Sequence, residues 1–565
     1  MNLKKINILL AADRNYADPL CITIKTALEA LNSATQAHFI VLTNNLGDQT
    51  RALLDKLMHN FHTIEYLNLD DERFDFCPTN QHINKTAYFR IIAPKLLASR
   101  QIDRLIYLDV DVLIRKDLTE LAESNLNGNT VGAVIDTGQA FALHRLGVDP
   151  VVAASNLYFN SGIMVIDVAR WNAHRITEKT LAFIRNHADQ IIFHDQDALN
   201  AVLAGEVQFL HPKWNLQNSI IFRKHRPINQ GYAELIDEAI KEPSIVHFTT
   251  HEKPWKDLTV HPYLDEYHEE LGELEMHRGV INVISAANSA FIQPLATSYI
   301  SILENDPEHQ YNFFLLPDHL TDRDMMLLGS IIARYDNATI KIVEVNEELL
   351  ANAVESDRIV KTAYYRILAP ALLPSINRAI YLDCDIIANT SLHELWQTNL
   401  EGNVIAAVED AGFHDRLEKM GITKENEKYF NSGMMLIDLV RWRAKSITQK
   451  VLDYINQNPE KLRFHDQDAL NAILYNDWLH LHPQWNAQSN IVMETIFPPR
   501  TELLEPYAET REDPKLIHFC GHVKPWHEDC ENPYAEVYLK YHEMVSNQGV
   551  KVADKLSQVG YQLNH

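Results

Sequence analysis

Asp109 and Asp111 close the apolar run RLIYLD, and Asp383 and Asp385 close the run RAIYLD. Two carboxylates one residue apart, just past a buried strand, are costly unless a cation shares their charge. Oxygen ligands suit Mg2+ or Mn2+. A lone Asp-x-Asp also fits a solvated turn, but its recurrence after the same IYL run argues for an ion. His247 and His518 end the apolar runs SIVHF and KLIHF. An imidazole there is a candidate third ligand, and its nitrogen favours Mn2+ over Mg2+. Lys253 and Lys524 follow in a shared H-x5-K-P-W pattern. A lysine at that place can neutralise a diphosphate leaving group. Pro254 and Pro525 stiffen the loop, while Trp255 and Trp526 anchor it apolarly.

Further polar strings recur with these. FHDQDALNA contains Asp195 and Gln196 in one copy and Asp466 and Gln467 in the other. It is expected to be a loop feeding a helix, with one aspartate as N-cap and the others facing a polyhydroxylated substrate. YFNSG, with Asn160 or Asn431, is expected to form a tight polar turn. Arg90 and Arg366 fall on helices with an apolar face and a proline stop, where they pair with the acidic motif, with phosphates, or in a plain buried ion pair.

The elements that position these residues are duplicated too. YFNSGIMVIDVARW (158–171) returns as YFNSGMMLIDLVRW (429–442), and KTAYFRIIAP (85–94) as KTAYYRILAP (361–370). Asp109 and Asp383 are 274 residues apart, His247 and His518 271. Each unit is therefore domain-sized, not a short solenoid repeat. The first spans residues 1–278 and the second 279–545, leaving a tail at 546–565 that is expected to pack as a short helix on the second domain. INILLAAD, HFIVLTN, RLIYLDVDVLI and TVGAVID read as strands, the third a long one, and PLCITIKTALEAL and QTRALLDKLMHNF as helices. That alternation predicts α/β domains with mostly parallel sheets, where ligands sit beyond the carboxyl ends of the strands.

Composition narrows the function classes. Of 565 residues, 46% are hydrophobic and 22% charged, as in globular proteins. A net charge of −25 argues against nucleic acid. A polyanionic ligand such as a nucleotide diphosphate then needs a local cation. The five cysteines include no C-x-x-C, which argues against a disulfide framework or zinc knuckle and for a reducing cytoplasm. MNLKKINILLAAD is expected to be a buried first strand, not a signal peptide, and no run is long enough to span a bilayer. The absence of G-x-G-x-x-G after the first strand removes support for a dinucleotide redox enzyme.

The ordered set AADRNY, YLDVD, FNSG, HDQDALN, HPKWN and H-x5-KPW resembles glycosyltransferase family 8, which includes bacterial lipooligosaccharide galactosyltransferases, related glucosyltransferases and glycogenin. The resemblance covers nearly the whole chain, twice. It implies two tandem GT-A domains, a UDP-sugar donor, Mn2+ and retention of anomeric configuration. It further implies that Asp109, Asp111 and His247 hold the metal, Asp13 and Asn15 contact uracil and ribose, Asn160, Asp195 and Gln196 contact the transferred sugar, and Lys253 the diphosphate. The second-copy equivalents are Asp383, Asp385, His518, Asn431, Asp466, Gln467 and Lys524. Two departures stand out. Asn288 and Ala290 replace Asp13 and Asn15, and Thr250 stands where Gly521 allows close backbone approach to the diphosphate.

The expected activity is transfer of galactose or glucose from a UDP-sugar to a bacterial glycan or glycoprotein, in the cytoplasm or peripherally at the inner face of the membrane. The rivals are one catalytic domain beside a binding or scaffold domain, a sugar nucleotidyltransferase, and a non-enzymatic globular pair. The nucleotidyltransferase usually wants a glycine-rich basic first loop, which AADRNYADP is not.

Overall fold

The computed structural model describes residues 3–59, 61–69, 71–78, 85–255, 260–346, 350, 361–422 and 428–558, with backbone alone for 71, 73 and 548–558. The chain divides into two units, Met1–Leu274 and Glu275–His565.

In the first unit the strands are β1 (Lys4–Ala11), β2 (Thr35–Thr43), β3 (Thr63–Asn68), β4 (Arg104–Leu108), β5 (Val112–Ile114), β6 (Val131–Ile135), β7 (Phe159–Asp167), β8 (Val207–Phe209), β9 (Leu216–Gln217) and β10 (Ile245–His247). Seven form one sheet in the order β3-β2-β1-β4-β7-β6-β8. β7 runs antiparallel to β4 and β6, and the other pairings are parallel. The inner strands read as near-continuous apolar runs because both faces are covered, as a parallel sheet requires. Strand order reverses across β1 and β4, where such sheets leave a crevice at the carboxyl edge. A small second sheet, β5-β10-β9, lies beside this edge.

Three helices matter for the site: α1 (Ala17–Ala30), α2 (Phe89–Leu96) and α3 (His194–Leu203). Pro94 lies inside α2, which continues to Leu96, so the proline does not stop the helix. The helix α4 (Leu264–Arg278) carries the chain across the boundary at Leu274.

The second unit repeats this plan. Its strands β11 (Val280–Asn288), β12 (Gln310–Asp318), β13 (Ala338–Ile342), β14 (Arg378–Leu382), β15 (Ile386–Ala388), β16 (Ile405–Glu409), β17 (Phe430–Asp438), β18 (Trp478–His480), β19 (Ala487–Gln488) and β20 (Leu516–His518) form sheets ordered β13-β12-β11-β14-β17-β16-β18 and β15-β20-β19. The helices α5 (Ile292–Asn305), α6 (Tyr365–Leu372) and α7 (His465–Leu474) match α1 to α3. The tail from residue 546 is not a separate helix. It continues α8 (Ala535–Gln558), whose Tyr538, Tyr541 and Val545 join the core, and 559–565 lie outside the described residues.

Two local departures from the sequence-based expectation shape the site. RLIYLDVDVLI is not one long strand: it breaks at Asp109–Asp111 into β4 and β5, which belong to different sheets. FNSG is not a turn but the start of β7, where the pairing with β6 shifts register between Ala133 and Val134. A bulge there re-aims side chains without ending the strand.

Candidate active site

Asp109 and Asp111 occupy the break between β4 and β5. From α1, the Thr23 hydroxyl donates to the carbonyls of Val110 (2.9 Å) and Val112 (3.2 Å), pinning the bend from below. The Asp109 amide donates to the Gly162 carbonyl at 2.7 Å, tying the bend to the bulged β7. β10 pairs antiparallel with β5 so that His247 lies opposite Val112. That register sets the imidazole beside the acids, with Nε2 3.2 Å from Asp111 Oδ1 and 3.8 Å from Asp109 Oδ2. Asp109, Asp111 and His247 offer ligand atoms that all lie within 4.8 Å of one another, as do those of Asp383, Asp385 and His518.

The donor set fits a divalent cation. His247 Nδ1 lies 2.9 Å from Asn215 Oδ1, and Asn215 Nδ2 donates to Asn160 Oδ1 at 2.8 Å. The amide oxygen fixes the proton on Nδ1 and leaves Nε2 as the electron-pair donor facing the acids, a usual support for a metal-binding histidine. The second unit repeats it, with His518 Nδ1 2.8 Å from Asn486 Oδ1 and Asn486 Nδ2 donating to Asn431 Oδ1 at 3.0 Å. Gly162 keeps the cradle open: a Cβ there would lie 2.7 Å from Asp109 Oδ2 and closer still to His247 Cε1.

Fixed cations complete the charge balance. Lys253 Nζ lies 2.6 Å from Asp111 Oδ2 and donates to the Phe248 carbonyl at 2.6 Å. Burial opposes ionisation of Asp111, but Lys253 and His247 outweigh it and hold the carboxyl well below the usual range. Lys524 and His518 do the same for Asp385. Arg90 is buried between Asp109 (2.8 Å) and Asp195 (3.2 Å), and its guanidinium lies over the Tyr107 ring. Arg366 spans Asp383 (2.9 Å) and Asp466 (3.1 Å) in the same way. Burial raises the Asp195 carboxyl and pushes Asp466 up to about 6, Arg90 and Arg366 opposing this.

A loop feeds the helix α3, as expected, but the helix already begins at His194, with Phe193 and not an aspartate at the N-cap position. Asp197 serves the helix start from within the first turn, its Oδ2 accepting the amides of Ile192 (2.7 Å) and Phe193 (2.9 Å). Its neighbours Asp195 and Gln196 are thereby turned toward β7. The Ser161 amide donates to Gln196 Oε1 at 3.0 Å, and Gln196 Nε2 donates to Asp136 Oδ2 at 3.1 Å. The equivalent Gln467 bonds Ser432 and Asp410, and Asn431 Nδ2 also donates to Asp410 at 3.1 Å.

Asp13 lies at the end of β1, its Oδ1 accepting the Asn15 amide at 2.9 Å. Asn288 keeps this turn with the Ala290 amide (3.1 Å), so the replacement preserves local geometry and changes charge. Gly521 has φ +101°, and Thr250 does not share that positive φ. The two lysine loops therefore take different backbone paths, as the glycine-to-threonine exchange predicts. Thr250 Oγ1 instead donates to the Glu252 carbonyl at 3.0 Å. Trp255 packs on Tyr16 and on Tyr267 of α4, and Trp526 on Phe291 and on Tyr538 of α8.

Several residues at the site were not singled out from sequence. Asn215 and Asn486 end the recurring strings HPKWN and HPQWN, so the repeat itself held the signal. Asp136 and Asp410 directly follow the apolar strands β6 and β16 and were legible only as acids just past a strand. Tyr16, whose hydroxyl is pushed up to about 12 by burial and by Asp111, Asp13 and Asp109, has no polar counterpart at Phe291.

The model of the family "Glycosyl transferase family 8" matches residues 7–259 and again 282–530. The chain belongs to this family. It carries two tandem GT-A domains of a glycosyltransferase, as the sequence predicts, and acts with a sugar donor and a glycan acceptor. General stress protein A of Bacillus subtilis is 39% identical over 267 residues, covering 46% of this chain and 93% of that protein. The lipopolysaccharide 1,2-glucosyltransferase of Escherichia coli is 29% identical over 265 residues, covering 46% and 76%. Among solved structures, galactosyltransferase LgtC in complex with donor and acceptor sugar analogs is 27% identical, with a TM-score of 0.43, covering 47% of this glycosyltransferase and 96% of that chain. No helix among the described residues is long and apolar enough to cross a membrane.

Proposed function

We propose that this glycosyltransferase is a Mn2+-dependent, retaining hexosyltransferase, moving galactose or glucose from a UDP-sugar to a bacterial glycan or glycoprotein acceptor. The observation that carries this proposal is the doubled cluster of two carboxylates and one oriented imidazole, each beside a lysine. Residues 1–278 and 279–545 are taken as the two catalytic domains. Asp109, Asp111 and His247 hold the ion in the first, and Asp383, Asp385 and His518 in the second. A bound Mn2+, or Mg2+ as the other cation these ligands suit, supplies Lewis-acid stabilisation for the departing diphosphate.

The chain's own groups do the rest. Asp13 and Asn15 hold the nucleoside, while Lys253 and Lys524 offer charge to the diphosphate, with Gly521 shaping the second loop. Arg90 and Arg366 fix the acids against their mutual repulsion and border the phosphates. Asn160, Asp195 and Gln196, or Asn431, Asp466 and Gln467, face the transferred sugar. Retention arises by same-face attack of the acceptor hydroxyl, with the leaving phosphate taking its proton. Asp195 and Gln196 favour this over a covalent intermediate, because Arg90 holds the one and Ser161 and Asp136 hold both ends of the other. A nucleophile so fully engaged is a poor one.

A second arrangement, with one catalytic and one binding domain, draws support from Asn288, Ala290 and Phe291 standing where the first unit has Asp13, Asn15 and Tyr16. Work in the cytoplasm, peripherally at the inner face of the membrane, fits a glycan acceptor. The test is UDP release across UDP-sugars, with and without Mn2+, from the full chain carrying Asp109→Asn with Asp111→Asn, Asp383→Asn with Asp385→Asn, or all four. All four together should abolish release. Full activity in that variant would overturn the proposal, and the two double variants separate the two-site and one-site arrangements.

A further inference from the structure

The loop that follows β9 and its succeeding helical turn (Asn218–Ile221) carries a feature that the donor site does not use. Thr137, Ser219, Arg223, Lys224, His225 and Arg226 line a cavity of about 310 Å3. Arg223, Lys224 and Arg226 bring three formal positive charges to one loop of a chain whose net charge is −25. The cavity adjoins the sugar side of the site. Thr137 follows Asp136, the partner of Gln196 Nε2, and its hydroxyl lies 3.0 Å from that of Ser219. His225 Nε2 and Asp136 Oδ1 both border Gly138, at 3.2 and 3.4 Å from where a Cβ would stand. Lys253 and the acid pair are not among the residues that line it.

The second unit keeps this loop's backbone and reverses its chemistry. Arg223 and Glu494 both hold positive φ, +47° and +53°, at equivalent positions. Where the first unit has Arg223, Lys224, His225 and Arg226, the second has Glu494, Thr495, Ile496 and Phe497. Ile496 packs against Ala411, Ile491 and Tyr507, Glu494 pairs with Arg511 at 3.0 Å, and Phe497 stands 95% exposed. One scaffold has thus been given a cationic pocket in one copy and an apolar surface in the other. Within an acidic protein, clustered cations around a concave site focus anions.

We propose that the first domain takes an anionic acceptor, a saccharide bearing a phosphate or a carboxylate that docks on Lys224, Arg226 and His225, whereas the second domain takes an uncharged one. This deepens the hexosyltransferase proposal and rests on it for the word acceptor; the anion site itself stands on the cavity. Arg223 is held by Asp237 at 2.6 Å and serves as the loop's anchor.

The experiment uses the full chain with UDP and Mn2+ saturating, so that the donor site is filled, and titrates glucose 6-phosphate, glucuronate and glucose by calorimetry. The probes are compared in the wild-type chain and in Lys224→Glu with Arg226→Glu, two exposed positions whose change should leave folding intact. Anion binding should weaken at least about tenfold in the variant and decline with salt, glucose being indifferent to both. Phosphate alone or carboxylate alone binding would name the group. Equal anion affinity in both chains, or equal binding of glucose and glucose 6-phosphate, would overturn the pocket. UDP-sugar hydrolysis without acceptor is followed in parallel: its absence from the wild type would sink the hexosyltransferase proposal while leaving the anion titration to decide the pocket.

Discussion

Gly162→Ala is the most diagnostic single change this structure offers. The Cβ it adds would stand 2.7 Å from Asp109 Oδ2, 3.0 Å from Asn160 Oδ1, and nearer still to His247 Cε1. Ordinary contact begins near 3.4 Å, so the Asp109 carboxylate has to retreat by 0.7 Å and the imidazole by more. Neither is free to do so. Asp109 is held by Arg90 at 2.8 Å and by the Tyr107 hydroxyl at 2.7 Å, and His247 by Asn215 at 2.9 Å. Overpacking of this kind costs about 1–3 kcal/mol of stability. Its larger effect falls on the site, because a misplacement of about 1 Å in a preorganised constellation costs roughly a hundredfold in rate. The assay is Mn2+-dependent UDP release, with Mn2+ affinity measured by calorimetry, in a chain whose second site is disabled by Asp383→Asn with Asp385→Asn. Gly272→Ala is the control, since nothing lies within 4 Å of its added methyl. In the helix α4 it should be neutral or stabilising by up to about 1 kcal/mol. If Gly162→Ala keeps wild-type Mn2+ affinity and turnover, the acid–imidazole cluster is not where the ion acts.

Other expectations follow from the same geometry. Asn215→Leu removes the acceptor that orients His247 and should weaken Mn2+ binding about 10- to 100-fold by calorimetry while urea unfolding changes less. Arg90→Met strands Asp109 and Asp195 without their cation and should cost about 3–5 kcal/mol in the first unit's urea transition. Burial lowers the His261 imidazole to about 4, so the unfolded chain binds its proton first as pH falls. Stability of the first unit should therefore be lost on acidification from about 6.5 toward 4, by about 3 kcal/mol in all, and His261→Asn should flatten that slope in pH-dependent unfolding.

The chemistry of the site was legible in the sequence because duplication acts as a filter. Surface positions diverged, while IYLD-x-D, FNSG, HDQDALN and H-x5-KPW recurred, and these strings supply the acids, the imidazole and the lysine that the fold brings together. Strand and helix alternation likewise announced an α/β sheet. What the sequence could not supply was register. That Asp109 and Asp111 straddle a break between two sheets depends on β10 pairing with β5, more than a hundred residues away in the chain. That FNSG is a bulged strand and not a turn depends on its partner β6. Local propensity holds no information about such long-range pairing. The roles of Asn215 and Asp136, and the contrast between a cationic pocket and an apolar face on one loop backbone, emerge only when those pairings set side chains from distant strings against one another.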